Sequence, residues 1–302
     1  MLNLTALPQR YVEALGRDKV AEIVGEKMPT VALWISKNYA FPLRAVEALL
    51  AFDPSPLHEI KPLYTNPEPG KKLAILIPLS GSPAPKMMDT FARLYDRHEM
   101  TYERFAFNNL SVSRNALAAS FLRGPSQWAY WMDGDMMVPA SDAVWYKREA
   151  EVPKMLDIFA GLNTIYRMLV HKKTVVSCSY VSRRSGAVPQ FGGGESRKNE
   201  IRRGPQDMLI EVPWAGMGGM ITHRSVFEDI IKTQGPEIKM KPGGIGARFN
   251  YEYAFFNPID LETCGDDVPF SFRATKAGHK VHVDLAVQAA HIGDRPYTFL
   301  DL

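Results

Sequence analysis

The chain has 302 residues, 46% of them apolar, and a formal charge of +3. That is room for one large domain and a small companion, and the charge is too mild to mark a nucleic-acid binder by itself. Two cysteines, Cys178 and Cys264, form no CxxC pair, which excludes a disulfide-stapled scaffold and fits a reducing compartment. No basic flank followed by an apolar core opens the chain. No uninterrupted apolar stretch approaches a membrane span, and Phe41–Phe52 is broken by Arg44 and Glu47. A cytoplasmic protein with no membrane partner is expected.

Residues 1–52 read as a small all-α domain. Tyr11, Val12, Leu15, Val20, Ile23 and Val24 recur at helical spacing. Ala21 is small where two helices would cross, Gly25 follows at a turn, and Pro29 suits the first turn of a second helix. Val31 and Trp34 then share a face at i, i+3. These offsets resemble the helix-turn-helix of repressor-type DNA-binding domains, with Arg44–Leu50 as the helix that follows. The resemblance implies a DNA partner. Against it, residues 1–70 hold seven Lys or Arg and eight Asp or Glu, a net of −1, and only Lys27, Lys37 and Arg44 lie near the second helix. A helical cap on the next domain is the plainer alternative. Pro54, Pro56, Pro62, Pro67 and Pro69 mark residues 53–70 as an extended linker.

Residues 71–302 alternate strand and helix patterns, which predicts an α/β domain. Lys72–Pro78 is an apolar run of buried-strand type. Met87–His98 reads as a helix, Phe105–Phe107 as a short strand, and Ser111–Leu122 as a helix. Trp128–Trp131 opens a strand expected to end on Asp133 and Asp135, whose i, i+2 spacing would point both carboxylates one way. Gly134 between them lets a ligand approach. Two hard oxygen donors with positions left open suit Mg or Mn carrying phosphates. The turn is not a calcium loop: Met137, Val138 and Val144 stand where an EF-hand needs an oxygen ligand, Gly and Glu. Ligands of such sheets bind beyond the strands' carboxyl ends, where Pro78–Gly81 and the Asp133–Asp135 turn both fall.

The order of an apolar strand ending at Pro78, Ser113-Arg114-Asn115 opening a helix, and Met132-Asp133-Gly134-Asp135 resembles the GT-A glycosyltransferases. Val212–Phe227 looks like the acceptor-side strand and helix of that family. Cys264-Gly-Asp-Asp-Val268 looks like its Gly-Glu-Asp helix start, here with Asp266 in place of Glu. His291-Ile-Gly293, after the closing strands Val281–Asp284 and Val287–His291, looks like its metal-ligating His. The resemblance covers 72–293. It implies a nucleotide-sugar held at Pro78, Ser80, Arg114, Asn115 and Asp133, and a Mn or Mg ion on Asp133, Asp135 and His291. An imidazole ligand favours Mn. It also implies a general base at Asp267, with Asp266 next, in an inverting reaction; retaining members need none.

Two basic stretches read as mobile acceptor loops. Ser182–Gly204 holds Arg183, Arg184, Arg197, Lys198, Arg202 and Arg203 against Glu195 and Glu200, a net of +4. Lys239–Arg248 is Gly-rich and basic. Trp214, in a Pro-Trp-Ala-Gly turn, is either a core aromatic or an acceptor-stacking ring; with Arg183, Arg184, Arg202 and Arg203 it forms the expected acceptor set. The expected activity is metal-dependent sugar transfer to a hydroxyl, with DNA carrying a hydroxymethyl base as acceptor. Joining a helix-turn-helix to a transferase domain resembles viral DNA-modifying glycosyltransferases. The alternatives are a glycan or protein acceptor, and a DNA-binding regulator with an inactive transferase domain.

Overall fold

A computed structural model describes residues 12–13, 15–36, 45, 72–79, 81–95, 99–138, 143–146, 154–157, 164–183, 188–194, 209–259, 265–292 and 296–297. The chain divides into two compact units, Met1–Leu63 with Ile158–Leu162, and Tyr64–Asp157 with Asn163–Leu302.

In the first unit α1 (Arg17–Val24) and α2 (Met28–Ser36) form a helical hairpin. Gly25 ends α1 at φ 67°, a left-handed conformation that costs a side chain about 1 kcal/mol or more. The Glu26 N–H then reaches back to the Ala21 carbonyl at 3.0 Å, closing the helix end. Val20, Ala21 and Val31 are buried, so the small residue and the β-branched residue singled out by spacing lie inside the hairpin. The Trp34 side chain, all of the expected helix 44–50 except the buried Ala45, and the linker 53–70 lie outside the described residues.

The second unit is mixed α/β. Among the described residues its main sheet has seven strands. The strands are β1 (Leu73–Leu79), β2 (Met100–Ala106), β3 (Trp128–Trp131), β7 (Val175–Ser179), β8 (Leu209–Val212), β9 (Met220–His223) and β10 (Val281–Gln288). β1 pairs in parallel with β2 and β3, and β10 with β7. β9 runs antiparallel between β3 and β7, and β8 closes the edge antiparallel to β10. Every residue of β1 is buried, because both faces of the sheet are covered. Strand alternation divides its side chains. Ala74 and Leu76 join the core formed with Phe121, Phe227 and Phe270, whereas Leu73, Ile75 and Ile77 join that of Met87, Leu94, Ile165 and Leu169.

The first face is covered by α4 (Leu110–Arg123), α6 (Arg224–Ile238) and α8 (Asp267–Lys276), the second by α3 (Pro85–Leu94) and α5 (Thr164–Val170). Trp131 lies in the first core, 5.3 Å from the Phe256 ring, and its indole N–H donates to Thr222 Oγ1 at 3.0 Å. Gly216 is required by close approach: a methyl group there would overlap the Tyr180 hydroxyl.

Two small sheets complete the unit. β5 (Ala143–Tyr146) pairs with β6 (Lys154–Asp157). β4 (Met136–Met137) pairs antiparallel with β11 (Ala290–Ile292), which pairs with β12 (Pro296–Tyr297).

Four expectations differ from what is observed. β2 begins at Met100 rather than near Phe105, and α3 ends at Leu94 rather than His98. The strand opened by Trp128 stops at Trp131, so Asp133 and Asp135 are not strand residues: Met132 N–H makes the last bond to Leu76, and Met136 N–H turns back onto the Asp133 carbonyl. The stretch Lys239–Arg248 is ordered. Met240 N–H bonds the Glu252 carbonyl at 2.8 Å, and Ile245–Arg248 forms a helical turn, α7. Among the described residues no helix is long and apolar enough to cross a membrane.

Candidate active site

A cavity of about 410 Å³ opens beyond the carboxyl ends of β1, β3 and β7. β1 supplies Pro78 and Leu79, and the turn after it Gly81 and Ser82. α4 supplies Leu110 and Arg114, the turn after β3 supplies Asp133–Asp135, and the chain after β7 supplies Tyr180, Arg183 and Gln190. Asp266 and Asp267 enter at the start of α8, and His291 from β11. A groove of about 600 Å³ elsewhere is lined by Lys239, Lys241, Leu122, Ile231 and Phe255. It shares no residue with the first cavity and holds no carboxylate cluster. The smaller cavity is therefore the chemical one, and the second basic stretch does not line it.

Arg114 is the hub. Its side chain is 1% exposed, and Nη2 donates to both Asp133 oxygens at 2.8 and 2.9 Å. Nη1 pairs with Asp267 Oδ1 and lies 2.6 Å from Asp266 Oδ2. That second contact lacks hydrogen-bond alignment, which leaves Asp266 Oδ2 buried without a hydrogen bond; Arg114 Nε is likewise buried without one. One guanidinium thus faces three carboxylates in a nearly dry place. Burial lowers the Arg114 pKa, but the three acids more than reverse this and hold it well above the ordinary value. Burial raises Asp133, opposed by Arg114 and reinforced by Asp135. Burial likewise lifts Asp267 to about 6, against the pull of Arg114 and with the push of Asp266 and Asp133. Asp266 sits at the N-cap of α8 yet makes no side-chain cap bond, so its carboxylate serves the cluster rather than the helix end.

The other half of the cavity centres on Asp135. Its Oδ2 lies 2.8 Å from Arg183 Nη1 and 3.4 Å from His291 Nε2. Burial raises this carboxyl, but the hydrogen bond and charge of His291, then Arg183, bring it below the usual value. The β11–β4 pairing sets His291 opposite Met136, and the Ile292 N–H bonds the Asp135 carbonyl at 2.6 Å. His291 Nδ1 faces the Val181 carbonyl at 3.3 Å. A carbonyl only accepts, so Nδ1 donates to it, and Nε2 is the nitrogen that faces Asp135. Tyr180 stands edge-on to this ring, with centroids 5.7 Å apart.

A divalent cation fits Asp135 and His291. Asp135 and His291 face each other, the His291 ring is oriented by a backbone acceptor as in known metal sites, and among the described lining residues the acids outnumber the guanidiniums four to two. Both oxygens of Asp133 accept from Arg114 Nη2, so a cation at Asp133 would compete with that guanidinium. Among the described residues no group of three or more His, Cys, Asp or Glu converges as a ready-made cage. Two protein ligands with open positions suit an ion that also holds phosphates.

Of the residues expected from sequence, Pro78, Arg114, Asp133, Asp135, Arg183, Asp266, Asp267 and His291 line one cavity. Asn115 does not: one residue further round α4, its Nδ2 donates to Asn257 and its Oδ1 accepts from Phe256 N–H. Trp214 is half-buried and lies over Gly192. Ser80, Arg184, Arg202 and Arg203 lie outside the described residues. Sequence reading missed Tyr180, Ser82 and Gln190. The signal for Tyr180 was its place just past an apolar run, at the edge where Pro78 and Asp133 also fall.

No family model and no curated protein matches the chain. Among solved structures it is similar to A197 from STIV, with 15% identity, 74% of this chain and 86% of that chain covered, and a TM-score of 0.42. It is similar to GalNAc-T7 with UDP, GalNAc and Mn2+, with 8% identity, 75% and 44% covered, and a TM-score of 0.41. It is also similar to 4-diphosphocytidyl-2C-methyl-D-erythritol synthase from Anaerococcus prevotii DSM 20548, with 11% identity, 68% and 97% covered, and a TM-score of 0.27.

Proposed function

We propose that the chain is a metal-dependent, inverting glycosyltransferase of GT-A type. It would move a sugar from a nucleotide-sugar to the hydroxyl of a hydroxymethyl base in DNA. The observation that carries this reading is the meeting, in one cavity, of the Asp133–Asp135 turn, His291 and the acidic start of α8. Bound at Asp135 and His291, a divalent ion would supply charge neutralisation of the leaving diphosphate.

The chain's own groups do the rest. Pro78, Leu79, Gly81 and Ser82 would form the floor for the nucleotide. Asp267 takes the proton of the acceptor hydroxyl as that oxygen bonds the anomeric carbon, and the carbon–oxygen bond to the diphosphate breaks with its electron pair. A carboxyl lifted to about 6 is a stronger base than an exposed one and still ionised at neutral pH. Arg114, locked on Asp133 and the acidic pair, holds the base in place.

The DNA acceptor is supported by the helical hairpin α1–α2 and by the +4 of Ser182–Gly204. The net −1 of residues 1–70 supports a second reading, in which the hairpin is a cap and the acceptor is a glycan or protein. The test is donor hydrolysis and transfer with Mn across a panel of nucleotide-sugars, with and without hydroxymethylated duplex. Donor turnover that no duplex stimulates would move the acceptor to the second reading. No turnover of any donor would overturn the transferase.

A further inference from the structure

We propose that Arg183 is a partner-switching cation. It holds the Asp135 carboxylate until a divalent ion takes that oxygen, and then pairs with the diphosphate of the donor. This rests on the transferase reading and reassigns a residue expected on the acceptor side.

Among the described residues two guanidiniums line the cavity, and they are held very differently. Arg114 is 1% exposed and fixed by three carboxylates. Arg183 is 50% exposed, and its ion pair among the described residues is the one contact to Asp135 Oδ2 at 2.8 Å. The backbone beneath it is anchored: Val181 bridges Pro189, and Ser182 N–H bonds the Val188 carbonyl at 2.9 Å. Its base is therefore fixed at the cavity wall while its head can reach more than one anion.

The oxygen it holds is the one facing His291 Nε2 at 3.4 Å, hence the oxygen a cation shared by Asp135 and His291 would use. A guanidinium at hydrogen-bond distance and a dication at coordination distance repel each other across that oxygen. Metal entry therefore competes with Arg183 for it. A nucleoside diphosphate arriving with the metal offers oxygens of the kind a guanidinium fork pairs with bidentately.

The two equilibria then shift in opposite directions when Arg183 is removed. Mn binding to nucleotide-free protein should tighten about two- to fivefold in Arg183→Ala, the value of a half-exposed ion pair. Nucleoside diphosphate binding in saturating Mn should weaken about tenfold, with Arg183→Lys in between. The experiment is Mn titration of the full chain by electron paramagnetic resonance, then calorimetric titration with UDP, GDP and ADP. Asp135→Asn serves as reference, and thermal melts verify folding. Wild-type protein that binds Mn, an Asp135→Asn variant that does not, and an Arg183→Ala variant with unchanged Mn affinity would overturn this inference and leave the transferase reading standing. Tighter Mn with unchanged diphosphate affinity would overturn the switch to donor. Wild-type protein that binds no Mn would remove the metal reading and this inference with it.

Discussion

Arg114 grips Asp133 with a single nitrogen: Nη2 donates to Oδ1 at 2.8 Å and Oδ2 at 2.9 Å, while the other nitrogen of the fork faces Asp266 and Asp267. One buried cation therefore links the turn after β3 to the start of α8. Removing it leaves three carboxylates without their counter-ion. Arg114→Ala should cost about 3–5 kcal/mol, the usual result of breaking a buried ion cluster from one side. Urea unfolding measures this. Adding Asp267→Asn should recover part of the loss, because one of the stranded charges is gone. A double variant no more stable than the single one would show that Arg114 acts by packing alone.

Asp267→Asn alone should separate stability from activity. Burial lifts this carboxyl to about 6, above its unfolded value near 4. A carboxyl raised in the folded state favours folding while protonated, and that contribution is lost as pH rises through 6. At pH 7.5 the ionised group therefore costs stability, on the order of 3 kcal/mol. The amide should raise the melting temperature at pH 7.5 and give no such gain at pH 4. Turnover should fall by roughly 10²–10⁴ through loss of the base. The wild-type kcat/KM should show an acid limb near pH 6 that the variant lacks.

At the metal half, Asp135→Asn should abolish transfer and Mn binding, since a neutral amide is a poor ligand for a hard dication. His291→Ala should weaken Mn affinity by about 10- to 100-fold. Asp133→Asn should leave Mn affinity nearly unchanged, because Arg114 rather than the cavity occupies its oxygens. Wild-type activity that persists in chelator would remove the metal from this chemistry.

Gly216→Ala tests the packing behind the cavity. Its new methyl would overlap the Tyr180 hydroxyl, which accepts the Gly218 N–H at 3.1 Å. Forcing the ring aside should cost about 1–3 kcal/mol. Tyr180 stands edge-on to His291, so Mn affinity should fall as well, without any change to a ligand. Normal Mn affinity in a destabilised variant would limit Tyr180 to packing.

What could be read from sequence follows from the range of the interactions involved. β1 is a continuous apolar run with both faces covered, and α8 starts at its acidic pair; both are local signals and both were legible. Asp133 and Asp135 are legible as a pair of carboxylates, but they do not share a strand face. They lie in a turn that Met136 N–H closes back onto Asp133, and there one faces Arg114 and the other Arg183 and His291. The place of His291 depends on β11 pairing with β4 from the far end of the chain, which no local pattern encodes. Arg114 and Asn115 read as a pair, yet helix phase sends one to the cavity and the other to Asn257. The glycines of Lys239–Arg248 suggested a loose loop, whereas the Lys239–Glu252 pair at 3.0 Å and the bond from Met240 N–H tie it down.

The acceptor is decided by salt. A protein that binds DNA through cations releases counterions from phosphates, so its affinity falls steeply as salt rises. Residues 1–70 sum to −1 and cannot supply much of that slope, whereas Ser182–Gly204 carries +4. Replacing Arg202 and Arg203 by Ala should therefore flatten the slope by up to about two units and leave donor hydrolysis intact. Deleting residues 1–60 should weaken duplex binding but keep residual transfer, because every residue lining the acidic cavity lies after the linker. Fluorescence anisotropy with plain and hydroxymethylated duplexes at several salt concentrations reads both effects. No binding of either duplex at low salt would remove DNA as the acceptor. A slope unchanged by the two substitutions would move the contact surface away from this stretch.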